Sequence, residues 1–441
     1  KAIEDFNAAI NINCNTRFIF KRASSYEKLE SFSKALDDYS HIISSGSLNK
    51  DKAMAYCRRG RLQNQMNNLE KGMPDIEMAI NLQPDNSDFY NEFAFGLEKL
   101  NRNEEATKRY KHAIELDPEN YIAQMNLSRL ELASHNYRSG WQRYESRWKA
   151  QGLGLIPLVT KKPKLESFEV KNKKILIWGE QGLGDYIIYS TILPDALKTD
   201  NEFIVVLDSR LLDLYKASFK DFKNVVFLDS ADNEDLYDYH LPFASLGQFF
   251  RNSKQDFLNQ KIPLLEADKA YTKTLRNRIN SGNKHICGIS WMSKNPKIGD
   301  SKSMRLEDFK SIFSLPGIDF VDLQYGDTKK EKKELKDNFG FELIEMTDID
   351  NFNDIGKLAS LINACDFVVT TSNVTAHLAG ALNKKTYQIL SYTEGRLWYW
   401  GINENSSLWY PSIRLLRADN LKDWKTPIKN LVDSLSQEIK L

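Results

Sequence analysis

The chain has 441 residues, with 61 Lys or Arg against 60 Asp or Glu and a formal net charge of +1. This length exceeds one compact core and predicts two or three domains, while the neutral charge balance argues against binding to nucleic acid or acidic lipid. With 41% hydrophobic residues, 12 Pro and 21 Gly, the composition excludes a fibrous or disordered chain.

Four cysteines, Cys14, Cys57, Cys287 and Cys365, lie far apart in the sequence. They form neither a CxxC pair nor a Cys/His cluster, so we predict reduced thiols, no metal site and a cytoplasmic protein. No apolar run approaches the ~20 residues that cross a bilayer. Because the chain opens at Lys1 inside a helical pattern, we expect it to be a fragment of a longer protein.

Internal repeats occupy the first third of the chain. Intervals of 33, 37 and 34 residues separate the dipeptides Ala9-Ile10, Ile42-Ile43, Ala79-Ile80 and Ala113-Ile114. This is the period of the tetratricopeptide repeat (TPR), a pair of antiparallel helices that stacks on its neighbours. We therefore predict a TPR α-solenoid over residues 1–150.

A TPR solenoid presents a concave surface that binds a peptide or protein. Polar groove candidates are Asn91, Asn126 and Arg129. The alternative is a scaffold without chemistry. In the variant last repeat, the segment SGWQRYESRW places Trp141, Tyr144 and Trp148 on one helix face. We interpret this repeat as a cap that docks the solenoid onto the following region, since a terminal repeat must bury its outer face.

Residues 151–172 lose helical periodicity and carry two Pro with several Lys, which predicts a linker. After it, short apolar strand runs alternate with amphipathic helices, as in KKILIWGE, FIVVLD, NVVFLD, HICGISW, DFVDLQ and DFVVTT. This alternation is typical of parallel sheets built from βαβ units. We predict two doubly wound, Rossmann-like domains across a cleft, at 173–268 and 269–441, the second ending in a closing helix.

Ligands of open α/β sheets bind where strands end and helices begin, because helix N-termini offer unpaired N–H groups. At the first such junction, IWGEQGLGDYII, a tight turn at Gly179, Gly182 and Gly184 places Asp185 at the start of a helix. The spacing matches neither the dinucleotide fingerprint nor the P-loop. The alternative is a plain turn in which Asp185 only caps the helix.

The second junction is a polar loop after the strand HICGISW. It carries Trp291, Ser293, Lys294, Asn295 and Lys297. Two lysines and an amide at the mouth of a cleft would neutralise a diphosphate. The alternative is a solvated surface loop.

At the third junction, DFVVTTSNVTAHLAGAL, a buried strand runs into Thr371, Ser372 and Asn373 and then a helix with His377 one turn in. Hydroxyls and free N–H groups at a helix start form an anion site. His377 would donate to a phosphate oxygen. The alternative is a histidine that only packs.

The segment TEGRLWYWGINENSSLWYPSIRLLR is rich in aromatic residues, namely Trp398, Tyr399, Trp400, Trp409 and Tyr410. One interpretation is a wall over the donor, on which a base or sugar stacks while Arg396 reaches a phosphate. The other is packing between the two predicted lobes. The sequence favours neither.

These motifs, in this order, resemble the bacterial proteins that join tetratricopeptide repeats to a heptosyltransferase-like (family 9 type) glycosyltransferase domain of GT-B fold. The resemblance rests on GEQGLGDYIIYSTILPDAL, on GISW with its polar loop, and on SLPGIDFVDLQYGD, TTSNVTAHLAGAL and SSLWYPSIRLLR. It covers nearly all of residues 140–430.

The resemblance implies an enzyme: an inverting, metal-independent glycosyltransferase that needs no cofactor. It would move a sugar from a nucleotide-activated donor to a protein or glycan acceptor selected by the TPR domain. On the family pattern, Asp185 is the general base, beside Gly182 and Gly184. The donor contacts that the resemblance implies in the other domain are made by Lys294, Lys297, Ser372, Asn373 and His377 on the diphosphate, and by Gln324 and Tyr325 at the nucleotide.

Two positions depart from the family pattern. Ser372-Asn373 stands where relatives commonly show Asp-Thr or Asp-Ser, and Met292 stands where many show Arg. These departures leave open a non-catalytic TPR adaptor with a degenerate nucleotide-binding domain. An oxidoreductase on a doubly wound sheet is disfavoured, because neither fingerprint spacing is present.

Overall fold

The computed structural model describes residues 1–13, 15–180, 182–279, 282–392, 395, 397–420 and 423–438. The chain divides into two compact units, one of residues 1–130 and 143–153, the other of 131–142 and 154–441. Among the described residues, no helix is both long and apolar enough to span a bilayer.

The first unit is built from helical hairpins, as the repeat period predicts. Its helices are α1 (Ala2–Ile12), α2 (Thr16–Lys28), α3 (Phe32–Ser44), α4 (Asn49–Gln65), α5 (Leu69–Leu82), α6 (Ser87–Lys99) and α7 (Asn103–Leu116), and two further helices cross between the units, α8 (Tyr121–Ala133) and α9 (Tyr137–Tyr144). Helix α2 packs on α3, α4 on α5, and α6 on α7. Small residues allow this close approach: a Cβ atom at Gly60 would lie 2.6 Å from the carbonyl oxygen of Gly72.

Equivalent polar contacts recur from repeat to repeat. Arg22 forms a bidentate pair with Asp38, with N–O distances of 3.0 and 2.6 Å. One repeat later, Arg59 pairs in the same way with Asp75, at 2.7 and 2.8 Å. Each pair joins the first helix of a hairpin to the second, so it fixes the geometry of that hairpin.

The turns inside the hairpins also repeat. Each turns at a residue with positive φ, namely Glu30 (55°), Asn67 (62°), Asn101 (58°) and His135 (65°). Left-handed backbone is tolerated better by Asn, Asp and His than by other non-glycine residues. The turns therefore occupy the positions that repeat spacing assigns to them.

The first lobe of the second unit runs from β1 to α14 around a four-stranded sheet. The strands are β1 (Lys174–Trp178), β2 (Glu202–Val206), β3 (Val225–Leu228) and β4 (Tyr239–Pro242), all parallel in the order β3-β2-β1-β4. The helices are α10 (Leu183–Tyr189), α11 (Leu193–Ala196), α12 (Leu212–Ser218), α13 (Gly247–Phe250) and α14 (Gln255–Leu258).

The second lobe runs from α15 to α20 around a five-stranded sheet. The strands are β5 (His285–Ser290), β6 (Ile318–Asp322), β7 (Phe367–Thr370), β8 (Thr386–Leu390) and β9 (Ile413–Arg417), all parallel in the order β6-β5-β7-β8-β9. The helices are α15 (Lys269–Ile279), α16 (Lys310–Phe313), α17 (Lys329–Phe339), α18 (Ile355–Ala364), α19 (Val374–Ala381) and α20 (Lys425–Glu438).

The predicted fold class is confirmed: TPR helical hairpins precede two doubly wound parallel sheets. Strands β7 and β8 are buried along their whole length, as expected of strands in a parallel sheet covered on both faces. The closing helix α20 packs on β8 and β9. The predicted boundaries of the linker and of the two α/β domains stay predictions, and residues 131–142, which we assigned to the solenoid, lie in the second unit.

Candidate active site

The turn from β1 into α10 brings the first lobe against the second. A Cβ atom at Gly179 would collide with the Tyr186 ring, and one at Gly184 would lie 2.9 Å from Cδ2 of His377. Glycine is therefore required at both positions by close packing. At Gly182, the N-cap of α10, a Cβ atom would meet open space.

Asp185 lies in the first turn of α10 and is half-buried. Burial raises the pKa of its carboxyl to about 6, the charge of Glu180 adds to the rise, and the charge of Lys302 opposes it. A carboxyl with a pKa near neutrality accepts and releases protons efficiently at physiological pH. The residue predicted as general base thus has a pKa suited to that role.

Lys302 is a site residue that the sequence analysis missed. It ends the short 3₁₀ turn Asp300–Lys302 in the loop after β5, and only 7% of its surface is exposed. Burial lowers the pKa of its ammonium to about 8, and the charge of Asp185 opposes that shift. In the described part of the chain no carboxylate lies within ion-pair distance of it.

We call the place where α10 meets α19 the lobe seam, with Asp185, Lys302 and His377 as its ionisable residues. Asp185 and Lys302 influence each other's pKa across this seam without forming a direct ion pair. Ionisable groups with perturbed pKa values at a lobe junction are candidates for a functional site.

His377 is enclosed by the second lobe. Its Nδ1 lies 3.3 Å from the Tyr410 hydroxyl, its Nε2 lies 3.2 Å from the Tyr399 hydroxyl, and its ring stacks on Trp400 with the centroids 5.1 Å apart. Burial lowers the pKa of the imidazole to about 3, so the ring is neutral. These contacts favour the packing interpretation, and donation to a phosphate stays a prediction.

The hydroxyl and amide side chains before α19 also bond within the protein. Asn373 Oδ1 accepts from the Ala376 N–H at 3.2 Å, and its Nδ2 donates to the Ser290 hydroxyl at 2.8 Å. The Ser372 hydroxyl accepts from the Trp400 indole at 3.0 Å. Thr371 Oγ1 is buried and finds no hydrogen-bond partner among the described residues. The side chains at this helix start therefore face protein atoms, and an anion there would meet backbone N–H groups.

Trp291 and Gln324 hold the loop after β5 in place. Trp291 is fully buried and its indole donates to Glu331 Oε2 at 2.5 Å. Gln324 Oε1 accepts from the backbone N–H groups of Trp291 and Met292, at 2.8 and 2.9 Å. Their contacts are structural, and a direct contact with a donor stays a prediction.

The other predicted residues of this loop lie in different places. The exposed Lys294 lies over Gly326, where a Cβ atom would be 3.0 Å from its Cε, and the Tyr325 hydroxyl accepts from the Lys294 N–H at 3.3 Å. The Ser293 N–H donates to Ser303 Oγ at 2.9 Å. The structure thus places Lys294 beside the segment that ends β6.

Asn295 and Lys297 are exposed and form a local turn. Asn295 Oδ1 accepts from the Lys297 N–H at 2.9 Å, and Lys297 Nζ lies 3.9 Å from the Cβ position of Gly154. Their side chains are not brought to Asp185 by any described contact, so a role on a diphosphate stays a prediction for both.

An open cavity of about 190 Å³ lies at the carboxyl end of β6. Gln324, Tyr325 and Gly326 form one wall. Another wall contains Lys332, whose ammonium bridges Asp322 at 2.8 Å and Glu345 at 2.5 Å. The end of a parallel strand is where α/β sheets bind nucleotides. The sequence indicated Gln324 and Tyr325, whereas Lys332 and Glu345 carried no motif.

The aromatic segment packs the lobe seam. Tyr410 covers Gly380, Trp409 meets Tyr189 edge to face with centroids 6.3 Å apart, and Gln260 donates to the Leu408 carbonyl at 2.9 Å. Packing between lobes therefore accounts for these rings in this conformation. Arg396, predicted to reach a phosphate, lies outside the described residues.

Within the described ranges, no group of three or more His, Cys, Asp or Glu side chains is placed to hold a metal ion. Cys57, Cys287 and Cys365 are buried free thiols, and Cys14 lies outside the described residues.

Comparison with known proteins finds one family match and one relative by sequence. Residues 53–86 match the tetratricopeptide repeat family. Protein FlbA of Caulobacter vibrioides is 24% identical over 466 residues, covering 98% of this chain and 73% of FlbA.

Two solved structures illustrate the separate halves. ADP-heptose lipopolysaccharide heptosyltransferase II of E. coli is 14% identical, covers 60% of this chain and 99% of its own, and has a TM-score of 0.43. MamA of Desulfovibrio magneticus RS-1 is 14% identical, covers 33% of this chain and 80% of its own, and has a TM-score of 0.27. At these identities and TM-scores neither likeness carries an argument about the fold or the reaction.

Proposed function

We propose that the second unit is a glycosyltransferase that moves a sugar from a nucleotide-activated donor to an acceptor hydroxyl. The observation that carries the proposal is the pair Asp185 and Lys302, one from each lobe, with opposite charges that interact across the lobe seam. A carboxyl whose pKa lies near neutrality, with a cation near enough to influence it, suits glycosyl transfer, since a proton leaves the acceptor and negative charge develops on the leaving group.

In the proposed reaction Asp185 accepts the proton of the acceptor hydroxyl as its oxygen attacks the anomeric carbon. The new carbon–oxygen bond forms on the face opposite the leaving group, so the anomeric centre is inverted. The bond from that carbon to the phosphate oxygen breaks, and its electron pair stays on the nucleoside diphosphate. Lys302, held close to Asp185, stabilises this developing charge, and we propose that no metal ion is needed.

The cavity at the end of β6 is our candidate for the nucleotide. It is bordered by Gln324 and Tyr325, and Lys294 lies beside it over Gly326. A diphosphate running from this cavity toward Lys302 would stay along the loop after β5, whose two ends are Trp291 and Ser303. The loop is closed by the bond from the Met304 N–H to the Trp291 carbonyl, at 2.9 Å.

The repeats are our candidate for acceptor selection. Of the predicted groove residues, Asn126 donates to Asn91 Oδ1 at 3.0 Å, and Arg129 lies 3.4 Å from Asn126 Oδ1. An extended peptide would exchange these contacts for bonds to its own backbone. The proposal is therefore a protein or peptide acceptor.

A ligand panel tests the donor half of the proposal. Thermal unfolding of the protein is followed with UDP, GDP, CMP and NAD, since a ligand that binds only the native state raises the apparent stability. We expect one nucleoside diphosphate to raise the melting temperature, and Lys302→Met to remove most of that rise. Stabilisation by NAD alone would contradict the proposal.

Mass spectrometry tests the transfer half. Host proteins incubated with the wild-type protein should gain one sugar-sized mass on a specific acceptor, while the Asp185→Asn protein gives none. Nucleotide binding without any such gain would favour a non-catalytic adaptor, which the enclosed Ser372 and His377 side chains also fit.

A further inference from the structure

The end of the repeat region is part of the two-lobed unit. Residues 131–142, which we call the bridging segment, comprise the last turn of α8, a tight turn at His135 and most of α9. By its contacts this segment belongs with the two lobes, although the chain on either side of it belongs to the repeat unit.

Trp141 joins the bridging segment to both lobes. It is 1% exposed, and its indole N–H donates to the Arg251 carbonyl of the first lobe at 2.8 Å. A Cβ atom at Gly247, also in the first lobe, would collide with its ring. Toward the second lobe its ring meets Trp398 edge to face, with the centroids 5.3 Å apart. One side chain thus fills the space between the lobes.

His135 makes a second contact to the second lobe. Its Nε2 lies 3.2 Å from Oε1 of Glu404. The equivalent turns of the two preceding repeats carry Asn67 and Asn101, and all three residues have left-handed backbone. Asn supplies that conformation by itself, so the turn does not explain the imidazole. The contact with Glu404 does.

From these contacts a continuous chain of packed rings leads to the lobe seam. Trp398 touches Tyr399 at a centroid distance of 5.6 Å, and the Tyr399 hydroxyl lies 3.2 Å from His377 Nε2. His377 in turn lies against Gly184, the residue before Asp185. The position of α10 relative to the second lobe is therefore set by these rings, which we call the aromatic wall. At the end away from His377, the wall packs against Trp141.

We propose that Trp141 and His135 are positioning residues of the transfer site: the bridging segment holds the aromatic wall against His377 and so fixes the position of α10, which carries Asp185, against the second lobe. This inference rests on the proposed function. It makes the bridging segment, which belongs to the two-lobed unit although it follows the repeats in the chain, a functional part of the transferase.

Two substitutions test it in the full chain. Trp141→Phe keeps an aromatic ring and removes the N–H that reaches Arg251, and His135→Asn keeps a residue suited to the left-handed turn while removing the contact with Glu404. Trp424→Phe is the matched control, since Trp424 packs on the core of the second lobe. We expect kcat to fall about tenfold in the first two proteins, the amount that small displacements of reacting groups cost, with the donor KM changed less than twofold and the control unaffected.

Hydrogen exchange provides a readout that does not depend on turnover. In Trp141→Phe, amides of residues 397–410 should exchange about tenfold faster, while strands β7 and β8 keep their protection. Unchanged exchange there, or an unchanged kcat, would overturn the inference. If Trp141→Phe shows the faster exchange but the wild-type protein transfers no sugar, the structural link is supported and the proposed function is the part that fails.

Discussion

Buried charged side chains form direct ion pairs in the repeat unit, whereas those at the lobe seam do not pair with each other. In the repeats, Arg22 and Arg59 each grip a carboxylate with two hydrogen bonds. At the seam, Asp185 and Lys302 have shifted pKa values and no direct ion pair with each other. Paired charges stabilise a scaffold, whereas charges kept apart at a cost in stability are typical of sites that bind or react.

Tyrosine hydroxyls also differ between the repeat unit and the lobe seam. In the repeats, Tyr110 donates to Glu98 at 2.5 Å and Tyr39 donates to Glu27, two contacts with the same spacing along the chain. At the seam, tyrosine hydroxyls surround a histidine that burial keeps neutral. A tyrosine–glutamate contact that recurs between repeats indicates a structural role. The arrangement of tyrosines around His377 does not recur among the described residues of the repeats, which is typical of a functional site.

Removing the seam carboxylate should produce the largest effect. Asp185→Asn should lower kcat by about 10²–10⁴-fold, the range for loss of a general base, with nucleotide affinity nearly intact by calorimetry. Turnover close to wild type would remove Asp185 from the base role.

The same variant should gain stability. A raised folded-state pKa means that the native protein holds its proton more tightly, so the free energy of unfolding falls as pH rises through the interval from 4 to 6. Asp185→Asn should therefore stabilise the protein by about 1–2 kcal/mol at pH 7.5 after solvent screening is allowed for, and by nothing near pH 4. Equal gains at both pH values would contradict this explanation.

Removing the seam cation comes next in size. Lys302→Met should lower kcat about 10²-fold, as loss of one group that stabilises developing charge does elsewhere, and weaken nucleoside diphosphate binding. Lys297→Met is the matched control from the same loop, exposed and next to Gly154. If the control loses as much activity as Lys302→Met, the charge is supplied by the exposed loop.

The pH dependence of transfer should show both seam groups. The base must be ionised and the cation protonated, so kcat should fall below pH about 6 and above pH about 8. In Lys302→Met the alkaline limb should vanish. The rate of transfer measured from pH 5 to 9 in both proteins tests this assignment. If the fall in kcat above pH 8 persists in Lys302→Met, another group causes it.

Breaking a repeat pair should have the smallest effect on activity. Arg59→Met leaves the Asp75 carboxylate without its partner and should cost about 2 kcal/mol of unfolding free energy, with little change in kcat on a small acceptor. The double variant Arg59→Met/Asp75→Leu should recover most of the loss. A fall in kcat without a fall in stability would show that this pair does more than hold its hairpin.

Periodic features were predictable from the sequence. The repeat interval predicted the helical hairpins, and the apolar runs predicted six strands, three in each sheet, whereas β4, β8 and β9 were not identified. Asp185 was predicted as a site residue because a glycine turn between a strand and a helix can be recognised in the sequence itself.

Features that depend on burial were not predictable. Lys302 lies in a loop with Lys294 and Lys297, and only the folded chain shows that it alone is enclosed. For His377 the sequence left a ligand contact and a packing role open, and in the structure its polar atoms bond to tyrosine hydroxyls. Gln324 bonds to backbone N–H groups and also borders the cavity at the end of β6. The sequence could not predict these side-chain contacts, because they join residues that are distant in the chain.

The path of the chain between its two halves limits how such a protein can be rearranged. The backbone passes from the repeat unit into the lobes at residue 131, returns at 143 and leaves again at 154. A recombination event at the apparent end of the repeats would separate Trp141 from Arg251 and Trp398. Exchange of one set of repeats for another, in evolution or in the laboratory, therefore has to join the chains upstream of residue 131, so that new specificity arrives with the old last hairpin still attached.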